Sequence, residues 1–198
     1  MVEMARMAVP ADVTVTGITA RTGASLIVDP AALAIAADAV LDLQGLMTGN
    51  AVIVAAFGDP AADALRERLA VPVIGIGEAS IRLAADRGRR FSIATTTPLL
   101  APAIRARVQM LGFAGQLASI QVTAQDPAVL TADAAALEAA LAELVDRCIM
   151  VDGAEAVVIG GGPLSRAARA IAARSPVPII EPVPEAARWA MRQLRDQS

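Results

Sequence analysis

The chain has 198 residues, which is enough for one large domain or two domains of about 100 residues each. Its net charge of −3 and its aromatic content of 2% are untypical of a nucleic-acid-binding protein, which needs a basic surface and stacking platforms. It contains no histidine and no tyrosine. All 17 of its Lys and Arg residues are arginine, so lysine is absent as well. These absences exclude a Ser-His-Asp triad, a Schiff-base lysine and a Walker A phosphate loop.

Short apolar runs bounded by turn residues predict β-strands along the whole chain. In order they span 13–17, 52–57, 73–76, 91–96, 120–123, 157–160 and 178–181. Helical stretches alternate with them, at 30–47, 61–69, 78–87, 100–111, 132–150, 164–174 and 184–195. Strands that alternate with helices in this way predict an α/β protein with parallel sheets.

An internal repeat is visible in the sequence. AVIVAAFGDP at 51–60 matches AVVIGGGPLS at 156–165, and VPVIGIGEA at 71–79 matches VPIIEPVPEA at 177–186. The alternative is that strand–helix–strand units look alike in an alanine-rich chain. A duplicated unit predicts two similar lobes related by a pseudo-twofold axis. Their turns at 56–60 and 161–165 would then face each other across a ligand cleft, with Ala56 and Gly161 as counterparts.

Five stretches also carry a family resemblance. They are ITARTGASLI at 18–27, IVAAFGDPA at 53–61, VPVIGIGEA at 71–79, GRRFSIATT at 88–96 and DGAEAVVIGGG at 152–162. With them the chain resembles the aspartate/glutamate racemase superfamily, in particular its hydantoin and allantoin racemase branch. The resemblance implies two α/β lobes with the active site between them, and catalysis without a cofactor. It also implies one cysteine from each lobe, and these two groups remove and return a proton on opposite faces of the substrate carbon.

The chain departs from this pattern at both cysteine positions. The first family cysteine falls at Ala56 and the second at Gly161, and neither side chain can move a proton. Cys148 shares a helical stripe with Leu141 and Leu144, so we interpret it as a buried structural thiol and not as a substitute. Racemisation by a pair of thiols is therefore doubtful.

The resemblance also predicts how the chain divides. Lobe 1 is expected to span 1–95 together with a returning helix at 184–198, and lobe 2 is expected to span 96–183. The family begins with a strand, whereas this sequence opens within what reads as the first helix. We interpret this as a misassigned start, and true absence of the strand is the alternative.

The candidate site residues follow the predicted strands. The expected substrate-binding positions are Ala56, Phe57, Gly58, Thr95, Thr96, Gly161 and Gly162. Threonine hydroxyls and glycine amides can hold a carboxylate or an imide carbonyl, and strand filling and a simple tight turn are the alternatives. Phe57 is either a wall of the pocket or plain core.

Two acidic residues, Glu78 and Asp59, are candidates for catalysis. Glu78 is the expected acid/base residue, with helix capping or a lobe contact as the alternative. Asp59 is expected to cap the helix that follows it, where Pro60 suits the first helical position.

These observations leave two classes of function open. The first is a cofactor-independent, isomerase-like enzyme acting at the carbon next to a carbonyl in a hydantoin, ureido acid or amino acid. The second is a non-catalytic protein that binds such a carboxylate or ureide, and a decarboxylase-type enzyme of the same superfamily is a further alternative. No cofactor, metal, nucleic-acid or membrane partner is expected, and the chain is expected to be a cytoplasmic homo-oligomer.

Overall fold

The computed structural model describes residues 1–196, except for the side chain of Pro163. Its strands are β1 (Val52–Val54), β2 (Val73–Gly75), β3 (Phe91–Thr95), β4 (Leu117–Val122), β5 (Ala156–Ile159) and β6 (Ile179–Ile180). β1 and β2 form one parallel sheet, and the other strands form a second parallel sheet in the order β4-β3-β5-β6. The expected α/β class with parallel sheets is confirmed.

Helices connect the strands in sequence. They are α1 (Val2–Arg6), α2 (Pro30–Leu41), α3 (Ala62–Arg68), α4 (Ile76–Ala84), α5 (Ala101–Met110), α6 (Pro127–Ala132), α7 (Ala134–Met150), α8 (Ser165–Ala172) and α9 (Pro182–Asp196). Within residues 1–196, each helix is too short or too polar to cross a membrane.

Helices cover the second sheet on both faces, and the side chains of its central strands alternate between them. Val157 and Ile159 pack with residues of α7 and α8. Phe91, Ile93 and Val158 point the other way and pack with residues of α4 and α5. All five side chains are fully buried, so this sheet forms the main core of the molecule.

The first sheet is smaller, and α9 packs against it. Val183 and Ala187 of α9 share a buried cluster with Ile74 of β2 and with Ile76 and Ala79 of α4. The last helix therefore returns to the first sheet.

The predicted lobe boundaries at residues 95 and 96 stay a prediction. β3, which that prediction placed in lobe 1, is hydrogen-bonded to β4 and β5 of the second sheet. Residues 197 and 198 of the expected returning helix lie outside the described residues.

The predicted strand at 13–17 is wrong, because this segment has no regular secondary structure. The guanidinium of Arg6 donates to the carbonyl of Val15 at 3.1 and 3.3 Å, so a side chain takes the place of a neighbouring strand. A Cβ at Gly17 would lie 2.6 Å from Val2 Cγ2, so the segment runs close against α1. These tertiary contacts override the strand propensity of the alternating valines and threonines.

The predicted helix at 132–150 is interrupted at its beginning. Asp133 has an extended backbone with φ −122° and ψ 106°, and its carboxylate accepts hydrogen bonds from the amides of Ala135 and Ala136. An aspartate in this position starts a new helix, which separates α7 from α6.

Candidate functional site

The turns that follow β1 and β5 lie against each other. A Cβ at Gly160 would lie 2.8 Å from Cε1 of Phe57, so the phenyl ring rests directly on this glycine. A Cβ at Gly162 would lie 3.4 Å from the carbonyl oxygen of Ala55. The structure thus brings together residues 55–58 and 160–162, and we call this place the junction.

Strand ends from both sheets form the junction, which is where ligands bind in open α/β sheets. It contains Ala56 and Gly161, and their correspondence to the two family cysteines stays a prediction. Gly161 packs against Leu164, whose Cδ1 and Cγ would lie 2.9 and 3.0 Å from a Cβ there. A larger side chain at residue 161 would therefore have to displace Leu164.

The threonines at the end of β3 border the junction. The hydroxyl of Thr95 donates to the carbonyl of Gly160 at 2.8 Å and lies 3.1 Å from the hydroxyl of Thr97. Thr95 thereby braces the glycine turn and is itself buried, as is Thr96. A contact between either threonine and a ligand stays a prediction.

Thr123 is a further polar residue at this edge, and our sequence analysis did not select it. Its amide donates to the carbonyl of Thr95 at 3.1 Å. Its hydroxyl is buried and has no hydrogen-bond partner among the described residues. The sequence contains a signal for it, because Thr123 ends the strand predicted at 120–123, and site residues of a parallel sheet lie at its strand ends.

Asp59 caps a different helix from the expected one. Its carboxylate accepts hydrogen bonds from the amides of Gly77 and Glu78, both at 2.7 Å, and so holds the start of α4. The expectation that it caps the helix next to it is wrong. Asp59 and Ala61 both have positive φ, of 51° and 60°, and this backbone turns the carboxylate towards the neighbouring strand end.

Burial raises the pKa of Asp59 from 3.8 to about 6. The two backbone hydrogen bonds and the charge of Arg107 act in the opposite direction but do not offset the loss of water. Only 1% of the side chain is exposed.

This shift predicts a pH-dependent stability. The folded state binds the Asp59 proton more tightly than the unfolded chain does. The stability gained from this protonation is therefore complete below pH 3.8 and is lost as the pH rises through about 6. On lowering the pH from 7.5 to 5, we expect the wild type to gain about 1.4 kcal/mol in unfolding free energy relative to Asp59→Asn. Urea unfolding of both proteins at both pH values measures this. A difference that does not change with pH would contradict it.

Glu78 lies outside the junction. Its carboxylate oxygens are bonded to Arg66 at 2.7 Å, Arg82 at 2.8 Å and Arg107 at 3.0 Å. It lines a separate groove beside Trp189. The catalytic role of Glu78 stays a prediction. The three ion pairs give it a structural role, which the sequence allowed as the alternative without indicating the arginine partners.

Replacing Glu78 with glutamine is expected to lower the unfolding free energy by about 2–3 kcal/mol. The loss is smaller than for a fully buried pair, since the side chains of Arg66 and Arg82 are 32% and 45% exposed. Chemical unfolding gives the value, and Glu143→Gln on the exposed face of α7 is the control, with an expected change within about 0.5 kcal/mol. Equal effects of the two substitutions would show that the arginine contacts carry no stability.

A cavity of about 270 Å³ adjoins the junction. Phe57, Gly58 and Asp59 form one side of it, and residues of α5, among them Ile104 and Arg107, form the other. The sequence does not single out Arg107, because α5 carries two arginines, Arg105 and Arg107, and nothing in the sequence distinguishes them.

Cys148 is a buried structural thiol, as expected. It is fully buried in the cluster that contains Leu141 and Leu144. Burial raises the pKa of its thiol to about 11, so the reactive thiolate is scarce at neutral pH.

Two parallel sheets whose strand ends meet at the junction form an α/β protein of the two-lobed Asp/Glu racemase fold. The family model for Asp/Glu/hydantoin racemases matches residues 1–190, and the chain belongs to this family. A hydantoin racemase from Paenarthrobacter aurescens is 31% identical over 141 residues, which are 71% of this chain and 60% of that protein. A hydantoin racemase from Rhizobium meliloti is 29% identical over 170 residues, which are 81% of this chain and 70% of that protein.

Solved structures agree with this assignment. The allantoin racemase from Klebsiella pneumoniae superimposes with a TM-score of 0.93 at 27% identity, over 99% of this chain and 81% of that one. Arylmalonate decarboxylase has a TM-score of 0.57 at 17% identity, over 82% of this chain and 76% of that one, which shows a common fold alone.

Proposed function

We propose that the protein binds a small carbonyl compound at the junction and acts, without a cofactor, at the carbon next to the carbonyl. The candidate ligands are a hydantoin, a ureido acid or an amino acid. The observation that carries this proposal is the contact of residues 55–58 with residues 160–162 at the strand ends of a racemase-family chain. The likeness to hydantoin racemases supports the ligand class.

The chemistry of such a carbon requires two things of a site. The negative charge that develops on the carbonyl oxygen needs hydrogen-bond donors, and a proton must be taken up or delivered. The hydroxyl of Thr96 and the amide of Gly162 are suitable donors, whereas the Thr95 hydroxyl and the amides of Gly160 and Gly161 already donate to backbone carbonyls. The side chains of Ala56 and Gly161 carry no acid or base, so racemisation by a pair of thiols is not part of this proposal.

Non-catalytic binding is the second candidate, and a specific observation favours it. The two candidate acids, Asp59 and Glu78, are both engaged, Asp59 by the amides of α4 and Glu78 by three arginines. A carboxylate in these bonds is poorly placed to accept a proton from a ligand.

Exchange of the α-proton in D₂O, followed by NMR, separates the two candidates. The panel contains 5-substituted hydantoins, allantoin, aspartate and glutamate, and free ligand without protein is the control. Protein-dependent loss of the α-proton signal is the expected result. If no compound exchanges, at least one binds and no malonate loses CO₂, the non-catalytic alternative is correct. Release of CO₂ from a disubstituted malonate, without exchange on the panel, would instead indicate a decarboxylase.

A further inference from the structure

Arg107 connects the two sheets through charged contacts. Its helix, α5, follows β3 and is anchored on the second sheet, because Ile104 and Val108 are buried together with Phe91. Its own side chain is 13% exposed and extends towards the first sheet.

There the guanidinium meets three carboxylates. It binds Asp63 of α3 at 2.6 Å and Glu78 of α4 at 3.0 Å, and its Nε lies 3.6 Å from the carboxylate of Asp59. All three acids lie in segments that follow β1 or β2. One side chain of a helix that packs on the second sheet therefore contacts three acids that follow the strands of the first sheet.

The contact with Asp59 is the one that reaches the site. The Nε of Arg107 is buried and makes no hydrogen bond within the described part of the chain, so its long contact with Asp59 is electrostatic. Asp59 in turn directly follows Phe57 and Gly58 of the junction. Its carboxylate is clamped on the other side by the amides of Gly77 and Glu78.

We propose that Arg107 is a positioning residue of the junction. From α5 it holds Asp59, and through Asp59 it sets where residues 55–58 stand relative to residues 160–162. Packing of Ile81 and Ala84 of α4 on the second sheet joins the two sheets as well. That packing holds α4, whereas the charge of Arg107 acts directly on the turn after β1. The part of this inference that concerns ligand affinity rests on the proposed function.

Arg66 provides a matched control. Arg66 binds two of the three acids that Arg107 contacts, Asp63 and Glu78, and donates to the carbonyl of Val73 at 2.9 Å. It belongs to α3, however, and all of these partners belong to the first sheet and its helices. Arg66→Met therefore removes a cation from the same carboxylates without removing a connection between the sheets or a contact with Asp59.

Hydrogen–deuterium exchange read by mass spectrometry tests the proposal on the intact protein. Peptides that cover 55–61 and the start of α4 are compared among the wild type, Arg107→Met, Arg107→Lys and Arg66→Met, with peptides of β5 as the reference for global unfolding. We expect exchange at 55–61 to rise at least tenfold in Arg107→Met and to change less than twofold in Arg66→Met. Arg107→Lys keeps the positive charge, so we expect its exchange at 55–61 to lie between that of Arg66→Met and that of Arg107→Met. This variant keeps the test valid if Arg107→Met does not fold.

Equal exchange at 55–61 in Arg107→Met and Arg66→Met would overturn the proposal, as would a wild-type rate in Arg107→Met. Calorimetric titration with the panel compound that binds the wild type adds a second reading. We expect at least tenfold weaker binding in Arg107→Met and less than a twofold change in Arg66→Met. Unchanged affinity despite a loosened turn would refute a role in positioning the site. If no compound binds the wild type, the proposed function fails, and the exchange rates still decide the role of Arg107.

Discussion

Replacing Gly75 with alanine is expected to destabilise the protein by about 3 kcal/mol. A Cβ at this position would lie 2.2 Å from Cγ of Asp59, and 2.3 and 2.6 Å from its two carboxylate oxygens. The carboxylate cannot move aside freely, because the amides of Gly77 and Glu78 hold it at 2.7 Å. The estimate combines the cost of overpacking with the loss of these buried hydrogen bonds.

Urea unfolding at neutral pH measures this effect, and Gly115→Ala is the matched control. A Cβ at Gly115 would have no neighbour within 4 Å, so the control tests only the change from glycine to alanine. We expect the control to change the unfolding free energy by less than about 1 kcal/mol. A similarly small effect at Gly75 would mean that Asp59 does not hold α4 as the structure describes.

Replacing Gly160 with alanine is expected to cost about 2–3 kcal/mol and to separate the two turns of the junction. The new methyl group would lie 2.8 Å from Cε1 of Phe57 and 3.2 Å from Cγ2 of Ile93. Neither neighbour can yield easily, because Ile93 is fully buried and the Phe57 ring packs against two core clusters.

A double-mutant cycle assigns this cost to the Phe57 ring. In a Phe57→Ala background the ring is absent, and we expect Gly160→Ala to cost less than about 1 kcal/mol there. The unfolding free energies of the four proteins give the coupling. The absence of coupling would show that the ring does not rest on Gly160, and the junction would then lack its main contact.

The central strands were well predicted because their signal is local. β5 is a continuous apolar run, AVVI, and β3, FSIAT, is mainly apolar with Ser92 and Thr95 as its polar residues; all nine residues are buried, as is typical of strands covered on both faces. The segment at 13–17, VTVTG, also consists of strand-forming residues but has no strand partner, since Arg6 and Val2 contact it instead. Local propensity does not record which neighbour the chain will meet.

The candidate site was only partly predictable, because its segments have local sequence signals but its contacts join residues that are far apart in the sequence. The internal repeat predicted that the turns at 56–60 and 161–165 would face each other across a ligand cleft. The structure packs residues 55–58 directly against residues 160–162, and a ligand cleft between the two turns stays a prediction. The partner of Asp59 was not predictable from its neighbours, because its hydrogen bonds cross to residues 18 and 19 positions away. The contacts of Arg107 are more distant still, with Asp63 lying 44 positions earlier in the sequence.

One measurement tests most directly whether the junction is a ligand site. The methyl groups of alanine and threonine are labelled with ¹³C, and their NMR spectrum is recorded while a 5-substituted hydantoin, allantoin, aspartate or glutamate is added. The proposed function predicts saturable shifts at Ala56 and Thr96 with at least one compound, and an unchanged signal for Ala135 on the exposed face of α7. No shift at Ala56 and Thr96 with any compound, or shifts confined to residues outside the junction, would contradict it.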